Sequence, residues 1–188
     1  MKEIRSHTIT FLIYAFAGIV VVLLFSQLRF VLPPHFTITS ASDAFLDARS
    51  RTEAKEGHRV FQGSTIVTRD DALVMGYEDI RLVLQPHVTM RVQNISQENV
   101  SVLATRGTFF VEPGTSKDVQ VCTRQVCVQA TSPVMVNYIT PGEIVHVRTT
   151  GTVNITYNQR THPLRAEDEL VIDELAKTTV LNGAVIEW

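Results

Sequence analysis

The sequence predicts an all-β fold, a sandwich, roll or short β-solenoid of about ten short strands. One transmembrane helix precedes it, and a short helix stands near its C-terminal end. Three observations carry that prediction. From Val60 onward, apolar and polar residues alternate with a period of two. Glycine and proline punctuate the alternation at intervals of roughly 8–12 residues. Residues 8–28 form an unbroken run of 21 uncharged positions.

That run, Thr8 to Leu28, is long enough at about 1.5 Å per residue to cross a hydrocarbon core of about 30 Å. Lys2 and Arg5 precede it, Glu3 offsets them in part, and Arg29 alone follows before Asp43. The bias of positive charge puts residues 1–7 in the cytoplasm as a short tail and the bulk of the chain across the membrane. Ala15, Ala17 and Gly18 offer a small-residue face for a partner helix. A cleaved leader is the competing reading. Its nearest small-residue site, Ser40-Ala41-Ser42, lies a dozen residues beyond the apolar run. Residues 29–56 read as a linker, with Ser42 to Glu56 polar enough for a helix or an extended connection.

Residues 57–188 make up the β domain. Ser64–Thr68, Ile80–Leu84, His87–Val92, Val100–Ala104, Thr108–Val111, Val119–Cys122, Cys127–Ala130, Val134–Tyr138, Ile144–Val147 and Thr152–Thr156 suit half-buried strands rich in β-branched residues. The breaks fall at Gly63, Gly76, Pro86, Gly107, Pro113-Gly114, Pro133, Pro141-Gly142 and Gly151. Ala166 to Lys177 has acidic residues first and lysine last, which suits a helix dipole, and predicts a helix. A last strand follows from Val180 to Trp188.

Composition narrows the function classes. Hydrophobic residues make up 45% of the chain and charged residues 19%, with a mean hydropathy of +0.11. Without residues 1–29 the balance is 17 − 3 = 14 basic against 19 − 1 = 18 acidic residues. A net charge of −4 gives no footprint for a nucleic-acid backbone, so nucleic acid is excluded as a partner. Bulk disorder is excluded by the aliphatic residues that recur throughout.

Cys122 and Cys127 are the two cysteines. With Arg124-Gln125 as the tip of a hairpin, they face each other as a non-hydrogen-bonded pair with Cα atoms about 4.5 Å apart. A four-residue loop closed by the disulfide fits equally well. Outside the cytoplasm such a pair is expected to oxidise and act as a local staple. A metal or redox pair is the alternative, and it lacks neighbouring ligands. The six histidines, His7, His35, His58, His87, His146 and His162, stand at no metal-ligand spacing. No nucleophile elbow, zinc-protease helix, phosphate loop or dinucleotide fingerprint occurs. The expectation is therefore a protein without catalytic residues, metal or cofactor.

Gly63-Ser-Thr-Ile-Val-Thr-Arg-Asp-Asp-Ala72 resembles the opening of the FecR-type extracytoplasmic domain. Ile80 to Val92 is similar to that domain's strand-proline-strand unit, and Val100 to Val111 to its strand-glycine-strand unit. Val119 to Val136 resembles the pair that follows. The resemblance covers residues 57–157 and implies an all-β periplasmic module on a single-pass protein of the bacterial inner membrane. In that setting the acceptor-like triplets at Asn94, Asn99 and Asn154 are unmodified. Members of the family often signal to a cytoplasmic anti-sigma segment. Residues 1–7 offer no room for one, so the expected role is a scaffold or adaptor for another envelope or membrane protein. Strand addition at Val185, Ile186 and Trp188 and helix packing at Ala15 and Gly18 are the candidate contacts. The alternative is a lipid relay with the layout of LptC, one anchor followed by a periplasmic β-jellyroll.

Overall fold

A strand that buries every second side chain needs another layer to bury it against, and here a second sheet supplies that layer. The computed structural model of the chain describes residues 32–41, 43–47, 52–115, 117–140 and 142–187. Among them are eighteen strands. In chain order they are β1 (His35–Ser40), β2 (Ala44–Leu46), β3 (Thr52–Glu53), β4 (Arg59–Phe61), β5 (Thr65–Thr68) and β6 (Leu73–Tyr77). Next come β7 (Ile80–Leu84), β8 (Thr89–Ile95), β9 (Asn99–Glu112), β10 (Asp118–Cys122), β11 (Val126–Ala130) and β12 (Val134–Ile139). The last are β13 (Ile144–Thr149), β14 (Val153–Tyr157), β15 (Arg160–Leu164), β16 (Glu169–Asp173), β17 (Thr178–Leu181) and β18 (Ala184–Ile186).

The strands form two sheets that share β9. Sheet A runs β4-β1-β6-β7-β9-β12-β13-β16-β17-β18. Sheet B runs β3-β2-β5-β8-β9-β10-β11-β14-β15. All pairings are antiparallel except that of β9 with β10, which is parallel. A single core cluster draws from both sheets, with Phe36, Phe109, Leu82, Met90, Ile155 and Leu170 all at most 1% exposed.

The strand shared by both sheets explains why residues 100–111 read as two strands. In its first half Val100, Val102 and Ala104 are buried, and in its second half Phe109 and Val111 are buried. The inward parity changes from even to odd between them. The first half pairs with β8 and β10, the second with β7 and β12. Gly107 stands at the crossing with φ +97°. A Cβ there would lie 2.7 Å from Val88 Cγ2 and 2.8 Å from Val88 Cα.

A related device recurs where the chain passes from one sheet to the other. After β7, His87 takes a left-handed conformation (φ 63°), and after β15, Glu167 does the same (φ 68°). Their N–H groups donate to Arg69 O at 2.9 Å and Thr149 O at 3.0 Å. The preceding hairpins match as well. Leu73 to Tyr77 and Val153 to Tyr157 both begin on a buried aliphatic residue and reach tyrosine four positions on.

Several expectations are corrected. The described strands number eighteen, not ten, because many are only two to five residues long. Residues 29–56 are not simply a linker. β1, β2 and β3 lie there, and Phe36, Ile38, Ala44 and Ala54 join the core. The helix expected over 166–177 is β16 followed by a turn. Leu170 and Ile172 are fully buried while Val171 and Asp173 are half-buried, a period of two, and β13 and β17 flank the strand on both sides. The acidic-first, lysine-last pattern belongs to the turns at its ends. The segment expected as one terminal strand from Val180 instead takes in the end of β17, a turn at Asn182-Gly183 and β18; the turn's φ values of 50° and 80° suit type I′. No helix among the described residues is long and apolar enough to cross a membrane. The 8–28 helix, with Ala15 and Gly18, lies outside the described residues, as does Trp188.

The Gly107 geometry makes a sharp prediction. Gly107→Ala strains a positive φ and drives a methyl into the Val88 backbone, so it should cost about 2 kcal/mol or more. Denaturant unfolding measures this, and an unchanged midpoint would contradict a sheet-crossing strand.

Candidate interaction surface

The outward residues of sheet A follow from its register. One row crosses six strands: Val74 faces Val83, Val83 faces Phe110, Phe110 faces Met135, Met135 faces Arg148 and Arg148 faces Glu169. At about 4.8 Å per strand the row spans roughly 24 Å. A second row runs Thr108, Asn137, His146, Val171, Val180 and Val185. A third places Ile139 against Ile144. Phe110, Ile139 and Val185 are 37%, 42% and 74% exposed.

The outer face of sheet B is different. There Gln120 faces Ser101 and Gln129, and Gln129 faces Asn154. The Cys122–Cys127 disulfide continues into Thr156 and Thr161, whose hydroxyls are 2.9 Å apart. The row of sheet A through Phe110 is aliphatic and aromatic and the row of sheet B through Gln120 is amide and hydroxyl, although Phe45, Val67 and Leu103 also stand on the outer side of sheet B. Burial cannot distinguish these faces, because both point away from the core.

An open groove of about 430 Å³ lies across the first row of sheet A. Phe110, Pro133 and Met135 give it an apolar lining, and Glu112, Arg148, Glu167 and Asp168 give it a charged one. Arg81 holds Glu112 at 3.1 Å, and Arg148 lies 3.7 Å from Glu169. Asp168 accepts from Asn182 Nδ2 at 2.7 Å and from the Arg165 N–H at 2.8 Å. These bonds hold its carboxyl below the ordinary aspartate range.

The candidate residues named from sequence are placed as follows. Val185 lies at the end of the second row, on β18, which is one edge strand of sheet A and, among the described residues, pairs with β17 alone. Ile186 is half-buried opposite Thr179. Cys122 and Cys127 are joined, directly opposite in register, with Cα atoms 4.0 Å apart. Between them the Thr123 N–H donates to Val126 O at 2.7 Å, and the Val126 N–H donates to Thr123 Oγ1 at 3.2 Å. Sequence reasoning missed Phe110 and Met135 as surface residues. Each sits in an apolar run that reads as core, and only the register shows which members face outward.

One buried ionisable group stands at the end of the sandwich beside the disulfide hairpin. Glu174 is 4% exposed, accepts from Thr123 Oγ1 at 3.2 Å and leaves Oε2 unpartnered. Burial pushes its carboxyl above the ordinary glutamate value, and bonds from Thr123 and the Gln125 backbone offset part of that. Burial also raises Tyr138, and the charges of Glu174 and Glu143 add to the effect. Arg124 pairs with Glu143 at 2.9 Å. Glu143 adds to the upward push on Glu174, and with Thr123 and Arg124 the cluster ties the hairpin turn to its neighbours. Among the described residues no group of three or more His, Cys, Asp or Glu could hold a metal ion.

No family profile matches the chain. No curated protein matches it either. Solved structures do. Two crystal structures, at 1.65 and 2.50 Å resolution, are each described as a "putative anti-sigma factor" from Parabacteroides distasonis. Each superposes with a TM-score of 0.55 and 17% sequence identity, over 62% of this chain and 57% of the neighbour. The likeness is one of fold, and it spans less than two thirds of the neighbour's length.

Glu174 gives a pH prediction. Burial favours the neutral acid, so its contribution to stability is full below the ordinary glutamate pKa and is lost as pH rises through the raised one. Glu174→Gln should therefore gain thermal stability relative to the parent as pH increases from about 4 to 7. Paired melting curves across that range measure the difference, and parallel curves would refute the assignment.

Proposed function

We propose that this chain is a single-pass, membrane-anchored, non-enzymatic envelope adaptor. Its β domain is of the FecR type, lies on the extracytoplasmic side of a bacterial inner membrane, and docks another envelope protein on the outer face of sheet A. One observation carries the docking site: the row Val74, Val83, Phe110 and Met135 is continuous and apolar across four strands, and an open groove lies over it. Contiguous apolar patches on a sheet face mark interaction sites in soluble domains. The fold shared with two structures described as a "putative anti-sigma factor" supports a regulatory or assembly role. The uncharged run over residues 8–28 supports the anchor. Val185 on the edge strand extends the same face and keeps strand addition available as a second contact mode.

The lipid-relay alternative has weaker support. The space between the sheets, where a relayed acyl chain would lie, is occupied by Phe36, Ile38, Phe109 and Ile155, none more than 1% exposed.

A photo-crosslinking side chain placed at Phe110 in the full-length chain, in its native membrane, tests the reading. The expected result is one discrete protein adduct from position 110, none from position 120 on the opposite face, and loss of the adduct on Met135→Asp. Equal labelling from both faces would sink the docking face. A lipid adduct alone would favour the relay.

A further inference from the structure

The groove on sheet A has a charge as well as an apolar floor. Three carboxylates and one guanidinium line it, a local balance of 1 − 3 = −2. Arg148 leans on Glu169 and Glu112 is held by Arg81, so those pairs compensate each other. What remains is Glu167 and Asp168, side by side at the entrance to β16. Glu167 is exposed on a left-handed turn whose N–H is tied to Thr149 O. Asp168 stays ionised through its two hydrogen bonds. Arg165, on the same turn, offsets part of this charge from outside the groove.

We infer that the groove takes an extended segment of a partner protein in which a large aliphatic side chain is flanked by lysine or arginine. The inference rests on the docking role proposed above. The aliphatic side chain would cover Phe110 and Met135, an aromatic and a flexible thioether that together adapt to varied shapes. A neighbouring lysine or arginine lays its methylene stem along that floor and carries its charge to Glu167 and Asp168. A cationic head passing over the Phe110 ring adds to the attraction. An acidic segment would meet two carboxylates at the wall that Arg165 offsets only in part. The row of sheet B through Ser101, Gln120 and Gln129 offers neither the floor nor the charge.

Fluorescein-labelled nonapeptides test this directly, one alternating leucine and lysine, the other leucine and glutamate. The protein is the full-length chain in nanodiscs of zwitterionic lipid, with empty nanodiscs as the blank. The leucine-lysine peptide should bind saturably and about fivefold tighter than its acidic counterpart, as expected for two partly screened charges. Glu167→Lys should erase most of that preference. Phe110→Ser should weaken both peptides by about tenfold or more. Gln120→Lys, on the opposite face, should change neither, and all three variants should keep the parent melting temperature. Equal affinity for the two peptides, absence of binding, or indifference to Glu167→Lys overturns the inference. If the Phe110 adduct persists in those cases, docking on this face stands and only the partner's chemistry is wrong. If the adduct disappears while the peptide preference remains, the docking reading fails instead.

Discussion

The architecture depends on one strand belonging to two sheets. β9 is fourteen residues long, and its halves bury opposite parities of side chain. A regular strand cannot do this, because its side chains alternate without interruption. The change needs a local irregularity, and the register shift between Thr89 and Met90 opposite Arg106 and Ala104 records it. Gly107 supplies the backbone conformation there, in a space already filled by Val88. With β9 crossing over, the sheets face each other around one core and each gains an interior strand from the same segment. Left separate, both would carry an open edge at that point, where unpaired N–H and C=O groups invite aggregation.

The remaining edges are short or interrupted. β3 has two residues, β4 and β18 have three, and β15 carries Pro163, which cannot donate to a further strand. These are ordinary protections for a sandwich. They make the aliphatic row on sheet A the more conspicuous feature, since open edges are kept small while that face is left apolar. The polar cluster around Glu174 lies elsewhere, at the turns. It joins the disulfide hairpin to the turn between β16 and β17, so a buried carboxyl there serves tertiary position at some cost in stability.

Much of this was legible beforehand, for a physical reason. Period-two patterning is a local property, so Val119–Cys122, Val134–Tyr138 and Ile144–Val147 announce their strands unaided. The opposition of Cys122 and Cys127 follows from a hairpin of fixed spacing, and oxidation closes it without distant partners. Errors fell where the signal is short or shared between structures. β1 follows a proline pair and β2 has three residues amid polar ones, so their buried residues resemble a linker. Residues 166–177 hold charges placed as a helix would want them, yet the strand is decided by β13 and β17, which come from outside the segment.

The sequence by itself determined that the chain alternates, where it turns, which cysteines meet, and that residues 8–28 carry no charge. Each of these needs only neighbours along the chain. Tertiary structure alone decided which of two apolar faces points outward, since Phe109 and Phe110 are adjacent and chemically identical. It also decided that Phe110, Met135, Arg148 and Glu169, spread over sixty residues of chain, form one row. Register is a pairing between strands distant in sequence, and no single strand carries it.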